Sequence, residues 1–258
     1  EQALKLRQEL GDPALIAETT MYFIGTYFSL GDFERGKALI QKVLDLRPDY
    51  EQQPITLGFS SGLLGFLQFF QGNVEKAVSL LRKALGIMGS AGYERERMHA
   101  EGYLIMTLII IEDLENAERL CQKTLSYIDS TEAYMFHAYR LNGLGMIEIA
   151  RGANAKSETY FKQALHESLD LGILPATLVA LENLANHIIA PQDPETALAW
   201  LTLVIHHPAS DAFQKQTAQQ AIAQLAEQLP IDRVEAARER GRQLTLDEVV
   251  ADILAERR

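Results

Sequence analysis

A four-residue mark recurs along the chain at a nearly constant interval, and no other feature constrains the fold as tightly. It reads Gly31-Asp32-Phe33-Glu34, Gly72-Asn73-Val74-Glu75 and Glu112-Asp113-Leu114-Glu115. It continues as Gly152-Ala153-Asn154-Ala155, Gln192-Asp193-Pro194-Glu195 and Asp232-Arg233-Val234-Glu235. The first residues fall at 31, 72, 112, 152, 192 and 232, so the period is 41 once and 40 thereafter. Such a period belongs to stacked supersecondary units, each too small to bury its own apolar side and each covered by the next.

Columns counted from the first residue of each mark give the unit its shape. One residue on stand Asp32, Asn73, Asp113 and Asp193, whose side chains suit a helix N-cap. Asn154 is expected to cap the fourth copy and Asp232 the sixth. Three residues on stands Glu in every copy but the fourth, where the helix dipole favours an anion. Five residues on, Gly36, Ala77, Ala117, Ser157, Ala197 and Ala237 are all small, which lets two helices approach closely. Leu44, Leu85, Leu125, Leu165 and Ile205 at plus thirteen, and Phe23, Leu64, Leu104, Leu144 and Leu184 at minus eight, mark the buried sides of the two helices. Each unit is therefore a helical hairpin, with helix A before the mark and helix B after it.

These columns resemble the tetratricopeptide repeat, best in Leu64-Gly65…Gly72-Asn73-Val74-Glu75-Lys76-Ala77 and in Leu144-Gly145…Gly152. The resemblance implies an all-α fold, a right-handed αα-superhelix of about six helical hairpins with a C-terminal capping helix. One solenoid is expected over 1–258. Residues 1–11 end a preceding repeat, 12–50, 51–91, 92–130, 131–171, 172–209 and 210–241 form repeats, and 242–258 form the cap. Gly89-Ser90-Ala91-Gly92 reads as a linker, and Gly241 as the end of the sixth B helix. Thr245 and Glu248 form a capping box for the last helix.

The segment Gly241–Val250 looks like the tail of large bacterial regulators, of the maltose-regulon activator kind, that carry such repeats after a nucleotide-hydrolysing switch module. The opening Glu1–Leu10 reads as the end of a helix, so more chain is expected upstream. A formal net charge of −11 over 258 residues argues against nucleic acid, which calls for Lys and Arg in excess, and against an anionic membrane. The apolar run from Tyr103 to Ile111 is too short to span a bilayer. The one cysteine, Cys121, aligns with Ile40, Leu81, Phe161 and Leu201 and reads as core. A cytoplasmic setting fits.

If helices A line a concave face, its inward positions include Phe59, Phe66, His99, Met106, Tyr139, Asn142, Met146, Glu182 and Asn186. Phe66, Met106 and Met146 would form an apolar strip beside polar handles, the usual composition of a ligand site. The same residues at helical spacing also suit a packed core. No histidine pair has the spacing of a helical metal site, and no carboxylate pair or nucleophile setting suggests an enzyme, so neither metal nor cofactor is expected. Two functions remain open. One is a regulatory sensor in a larger bacterial signalling or transcription-regulatory protein, binding a peptide or small effector in the groove. The other is a scaffold or self-association domain that docks a protein partner, or its own upstream domain, with no small ligand.

Overall fold

The structure, a computed structural model, describes residues 2–13, 15, 16, 19, 20, 23, 33–46, 57, 58, 61, 62, 64, 65, 68, 69, 71–92, 94–125 and 131–255. It does not describe the side chains of 33, 34, 37, 44, 94–96, 99 and 131–135. The described residues are helical or in turns, with no strand among them. The fold is all-α and built of helical repeats. The chain divides into two compact units, Glu1–Thr107 and Leu108–Arg258.

In the first unit, α1 (Gln2–Leu10) ends at Gly11 with φ 70°. The helices α2 (Phe33–Leu46) and α3 (Val74–Ser90) are second helices of hairpins, and α4 (Glu94–Ile110) starts the next hairpin. The division between units falls inside α4. Ala77, Leu81, Ala84 and Met88 form the buried stripe of α3. Gly65 faces this stripe so closely that a Cβ there would lie 2.7 Å from Leu81 Cγ. Leu64 is 46% exposed rather than buried. The expected linker is shorter than its glycines suggest: Gly89 and Ser90 are the last residues of α3, and Gly92 turns the chain with φ 78°.

In the second unit the order is α5 (Leu114–Leu125), α6 (Thr131–Ala150), α7 (Asn154–Asp170) and α8 (Leu174–Asn183). The helix of α8 continues as a π-helical segment, Leu184–Ile189. Then come α9 (Pro194–His206), α10 (Ala212–Ala226), α11 (Ile231–Gln243) and α12 (Leu246–Ala255). Packing is mostly between elements close in sequence: α5 on α6, α6 on α7, α7 on α8, and α9 on both α10 and α11, with α12 also reaching back to α7. That is the one-dimensional pattern of a repeat protein. The small column is sealed: Ala77, Ala117, Ser157 and Ala197 are fully buried and Ala237 nearly so. Gly145 on α6 fits against the ring of Phe161 on α7, with no room for a methyl group. Cys121 is buried, as its column predicts.

Three hairpin joints share one backbone device. Gly72 N–H donates to Phe69 O at 3.0 Å and Asn73 N–H to Gln68 O at 2.8 Å. Glu112 and Asp113 repeat this with Ile109 and Leu108, and Gly152 and Ala153 with Ile149 and Glu148. This is the Schellman closure, which needs a residue in the left-handed region and satisfies the orphan carbonyls of the first helix. Gly72 and Gly152 supply it at φ 76° and 75°, and Glu112 does so at φ 60° despite its side chain.

Capping departs from the sequence reading in several copies. Asn73 stands at an N-cap without a side-chain bond to the helix, because its amide donates to Gln68 Oε1 at 3.0 Å. Asp113 holds the side chain of Asn116. Ala153, not Asn154, is the fourth N-cap, since the Schellman turn brings the helix in one residue sooner. Pro230, not Asp232, precedes α11, and Asp232 lies in the first turn. Asp193 does cap α9, accepting from Thr196 N–H at 3.0 Å.

Gly241 does not end α11. The helix runs on to Gln243, and Gly241 lies buried where a side chain would strike the Ala199 carbonyl of α9. Arg233 pairs with Glu195, and Arg240 reaches Thr196 Oγ1 at 3.2 Å, fastening α11 across α9. The capping box forms as read, with Thr245 N–H on Glu248 Oε2 at 3.0 Å and Glu248 N–H on Thr245 Oγ1 at 3.3 Å. Leu246, Val249, Val250 and Ile253 of α12 join the core.

Two substitutions test the joint. Glu112→Gly relieves the left-handed strain of a residue with a Cβ and raises unfolding stability by about 1 kcal/mol. Gly152→Ala introduces that strain and lowers stability by about 1 kcal/mol. Urea unfolding followed by circular dichroism measures both, and the two shifts should have opposite sign.

Candidate functional site

The first helices of successive hairpins in the second unit are α6, α8 and α10, and α6 packs directly on α8. Their side chains build a polar seam. Asn142 on α6 is 4% exposed. Its amide donates to Ala138 O, one turn back, at 3.1 Å, and its carbonyl accepts from Asn183 Nδ2 on α8 at 3.1 Å. Buried amides require such partners, since an unmet donor or acceptor costs roughly 1–3 kcal/mol. On the other side of α8, Gln214 of α10 sends its amide to Pro175 O at 3.5 Å. Asp211 caps α10 through Gln214 N–H at 2.8 Å.

Glu182 lies in this seam beside Asn183 and is 8% exposed. Burial pushes its carboxyl up to about 7, the Asp211 carboxylate adds to the rise, and a hydrogen bond with Thr217 works against it. Tyr139 on α6 is half-buried, and its phenol is pushed up to about 12, first by burial and then by Asp211. At neutral pH the seam therefore presents a neutral phenol, paired amides and a carboxyl that is only partly ionised.

The π-helical segment follows at once. Its His187 ring stacks on Phe161, with centroids 6.4 Å apart and planes inclined at 28°. Burial holds that imidazole below its usual range, so it stays neutral near pH 7. Asn186 is half-buried and makes no hydrogen bond among the described residues. Met146 is half-buried and packs against the core cluster. Short π-helical turns are uncommon and often lie at functional positions.

Of the residues singled out from the sequence, Tyr139, Asn142, Met146, Glu182 and Asn186 belong to these two neighbouring helices. Met106 is half-buried on α4 in the first unit. Phe59, Phe66 and the side chain of His99 lie outside the described residues. Asn142 differs from a free handle because Asn183 and Ala138 occupy its amide. Asn183, Asp211, Gln214 and Thr217 were not singled out, because none stands at the inward positions counted from the marks. His187 was not singled out either. The π turn, which has no signature in the spacing, seats it against Phe161.

The remaining charged contacts are structural. Glu148, 4% exposed, takes Lys156 at 2.7 Å and Arg151 at 3.1 Å across the α6–α7 joint. Its carboxyl is held below the usual range, chiefly by the Lys156 bond. Arg151 also reaches Glu118 of α5 at 2.6 Å. His137 pairs with Glu167 between α6 and α7. Among the described residues no group of three or more metal-binding side chains gathers, and no helix is long and apolar enough to cross a membrane.

The buried imidazole makes a pH prediction. The unfolded chain protonates His187 near its ordinary value, whereas the fold resists protonation, so the fold's advantage is complete above that value and shrinks as pH falls below it. His187→Phe keeps the stacked ring without a titrating group. Thermal melts at pH 7 and pH 5 should show a smaller acid-side loss in this variant than in the parent.

Comparison with known proteins agrees with the hairpin architecture. The tetratricopeptide-repeat family profile matches residues 25–50. No curated protein matches the chain. BtubC (BKLC) from P. vanneervenii, whose crystal structure is solved, is similar over 97% of this chain and 89% of that chain, with a TM-score of 0.51 and 16% identity. A likeness at that identity is one of fold. Repeats of this kind generally mediate protein–protein interaction and are typically not enzymes. The hairpins, their joints and these likenesses describe a tetratricopeptide-repeat-like helical domain.

Proposed function

We propose that this domain is a non-enzymatic interaction module that takes an extended polypeptide along α6 and α8 of its second unit. The observation that carries the reading is the Asn186 amide. It is half-buried and unbonded among the described residues, one turn along its helix from Asn183, which bonds Asn142. An amide can pair with a peptide backbone through both its donor and its acceptor. Tyr139 adds side-chain selection, and Met146 adds apolar contact.

The setting we favour is cytoplasmic, in a larger bacterial signalling or transcription regulator. There, binding of a peptide or a small effector alters contact with an upstream domain. The regulator-like tail at Gly241–Val250 supports it, and the net charge of −11 favours a partner with basic segments over nucleic acid or membrane. A second reading is a scaffold that docks a protein or another copy without a small ligand. It draws on the exposed apolar side chains Leu171, Leu174 and Ile231.

Fluorescence polarisation against an arrayed library of labelled peptides tests the first reading. Asn186→Ala should weaken the best binder by about tenfold, the order of one lost hydrogen bond to a fixed partner, and Met146→Ala by about as much through lost apolar burial. Leu171→Ser and Ile231→Ser should leave it unchanged. The reverse pattern, or a library without binders, contradicts the reading.

A further inference from the structure

We propose that α12 is a fold-back strap: it leaves the outer side of the last hairpin open, reaches back to α7, and locks the hairpins α6–α7, α8–α9 and α10–α11 into one block of fixed curvature. Burial along the helices carries the inference. A helix covered on one side only shows a single buried stripe. α11, which directly precedes the strap, buries Val234, Ala237 and Gly241 alone. α10 buries Gln214, Ala218, Ile222 and Leu225, while Gln216, Gln220 and Gln224 on its opposite side are exposed. Among the described residues, then, nothing covers the outer side of this hairpin, and its polar surface suits water. Yet Leu246, Val249, Val250 and Ile253 of α12 are sealed. Their cover lies elsewhere, because α12 packs chiefly on α7, two hairpins back.

The hairpin in between agrees. α7 leaves Thr159, Gln163 and His166 in water, whereas α9 has no exposed residue from Pro194 to Ile205. A second helix without a wet side needs a cover from outside, and a helix that runs from the end of α11 back to α7 supplies it. The start of the strap is fixed locally. Leu244 breaks α11 in extended backbone, at φ −67° and ψ 144°. The Thr245–Glu248 box then opens α12 at once. Asp247, Glu248 and Asp252 keep the other side of α12 in water.

The consequence is conformational. A stack held only by nearest neighbours can bend or fray one hairpin at a time. A link from the sixth hairpin to the fourth removes that freedom: the three move together, or the strap lifts. α12 reaches the fourth hairpin from the α7 side, while the Asn142–Asn183 bond joins the fourth to the fifth from the α6–α8 side. The seating of α12 thus sets the spacing of α6 and α8.

Hydrogen exchange over the whole chain separates a strap from an end cap. Val250→Asp puts a charge into the buried side of α12 and lifts it. Ile222→Ala weakens α10 itself. In Val250→Asp the α7 amides should exchange about tenfold faster, at least as great a gain as at α10. In Ile222→Ala the gain should stay in α10 and α11, as at the end of an ordinary stack. A gain at α7 in Val250→Asp smaller than that at α10, or an equal gain at α7 in the two variants, overturns the proposal. Should Val250→Asp fail to fold, Thr245→Ala removes the capping hydroxyl and leaves the buried side of α12 intact. The same pattern is then expected at about fivefold, and the same two outcomes overturn it.

Discussion

Everything in this fold depends on how closely the two helices of a hairpin, and each hairpin and the next, come together. The column five residues into each mark holds no side chain larger than Ser, and it is sealed in five described copies from Ala77 to Ala237. Gly65 meets Leu81, and Gly145 meets Phe161, at distances that admit no methyl group. Overpacking such a contact costs roughly 1–3 kcal/mol, so small residues at these points are a requirement of the stack. Close approach in turn fixes the joints, because a chain that reverses tightly must close its first helix with a left-handed residue and two backbone bonds. Glu112 shows the strength of that demand: the joint forms although a glycine would fit it better.

Where the pattern breaks, polar chemistry collects. The fifth joint has no left-handed residue at Gln192, and the helix before it widens into a π turn over Leu184–Ile189. The same helix carries Glu182, Asn183, Asn186 and His187. Its neighbours answer with Asn142, Tyr139, Gln214, Thr217 and Asp211. A packing helix in a repeat protein could be apolar on this side. Here buried amides and a buried carboxyl stand instead, each needing a partner or a proton. Such arrangements specify position more than they add stability. A face with fixed amides and one amide unbonded among the described residues is suited to recognising a polypeptide backbone.

The repeat and its hairpins could be read in the sequence because they rest on local rules written six times. The period, the small column, the buried Cys121, the Asp193 cap and the Thr245–Glu248 box all follow from residue type at fixed spacing. The misreadings share a cause, since each needed knowledge of a distant neighbour. Gly241 looks like a terminator along the chain, yet it is a gap left for the Ala199 carbonyl. Gly89 and Ser90 look like linker but prolong α3. Asn154 yields its cap to the backbone geometry of the turn before it. The polar contacts were less legible: counting from the mark singles out Asn142 and Glu182, while Asn183, Gln214 and Thr217 enter through contacts that no periodicity announces.

The account's central claim is that α6 and α8 present a working surface while α7 and α9 supply the core beneath it. Backbone amide NMR of the labelled chain, titrated with a peptide taken from an arrayed library, tests that division most directly. The account predicts shifts concentrated between Tyr139 and Met146 and between Glu182 and Asn186. Shifts confined to α7 and α9, or spread evenly over the chain, would contradict it.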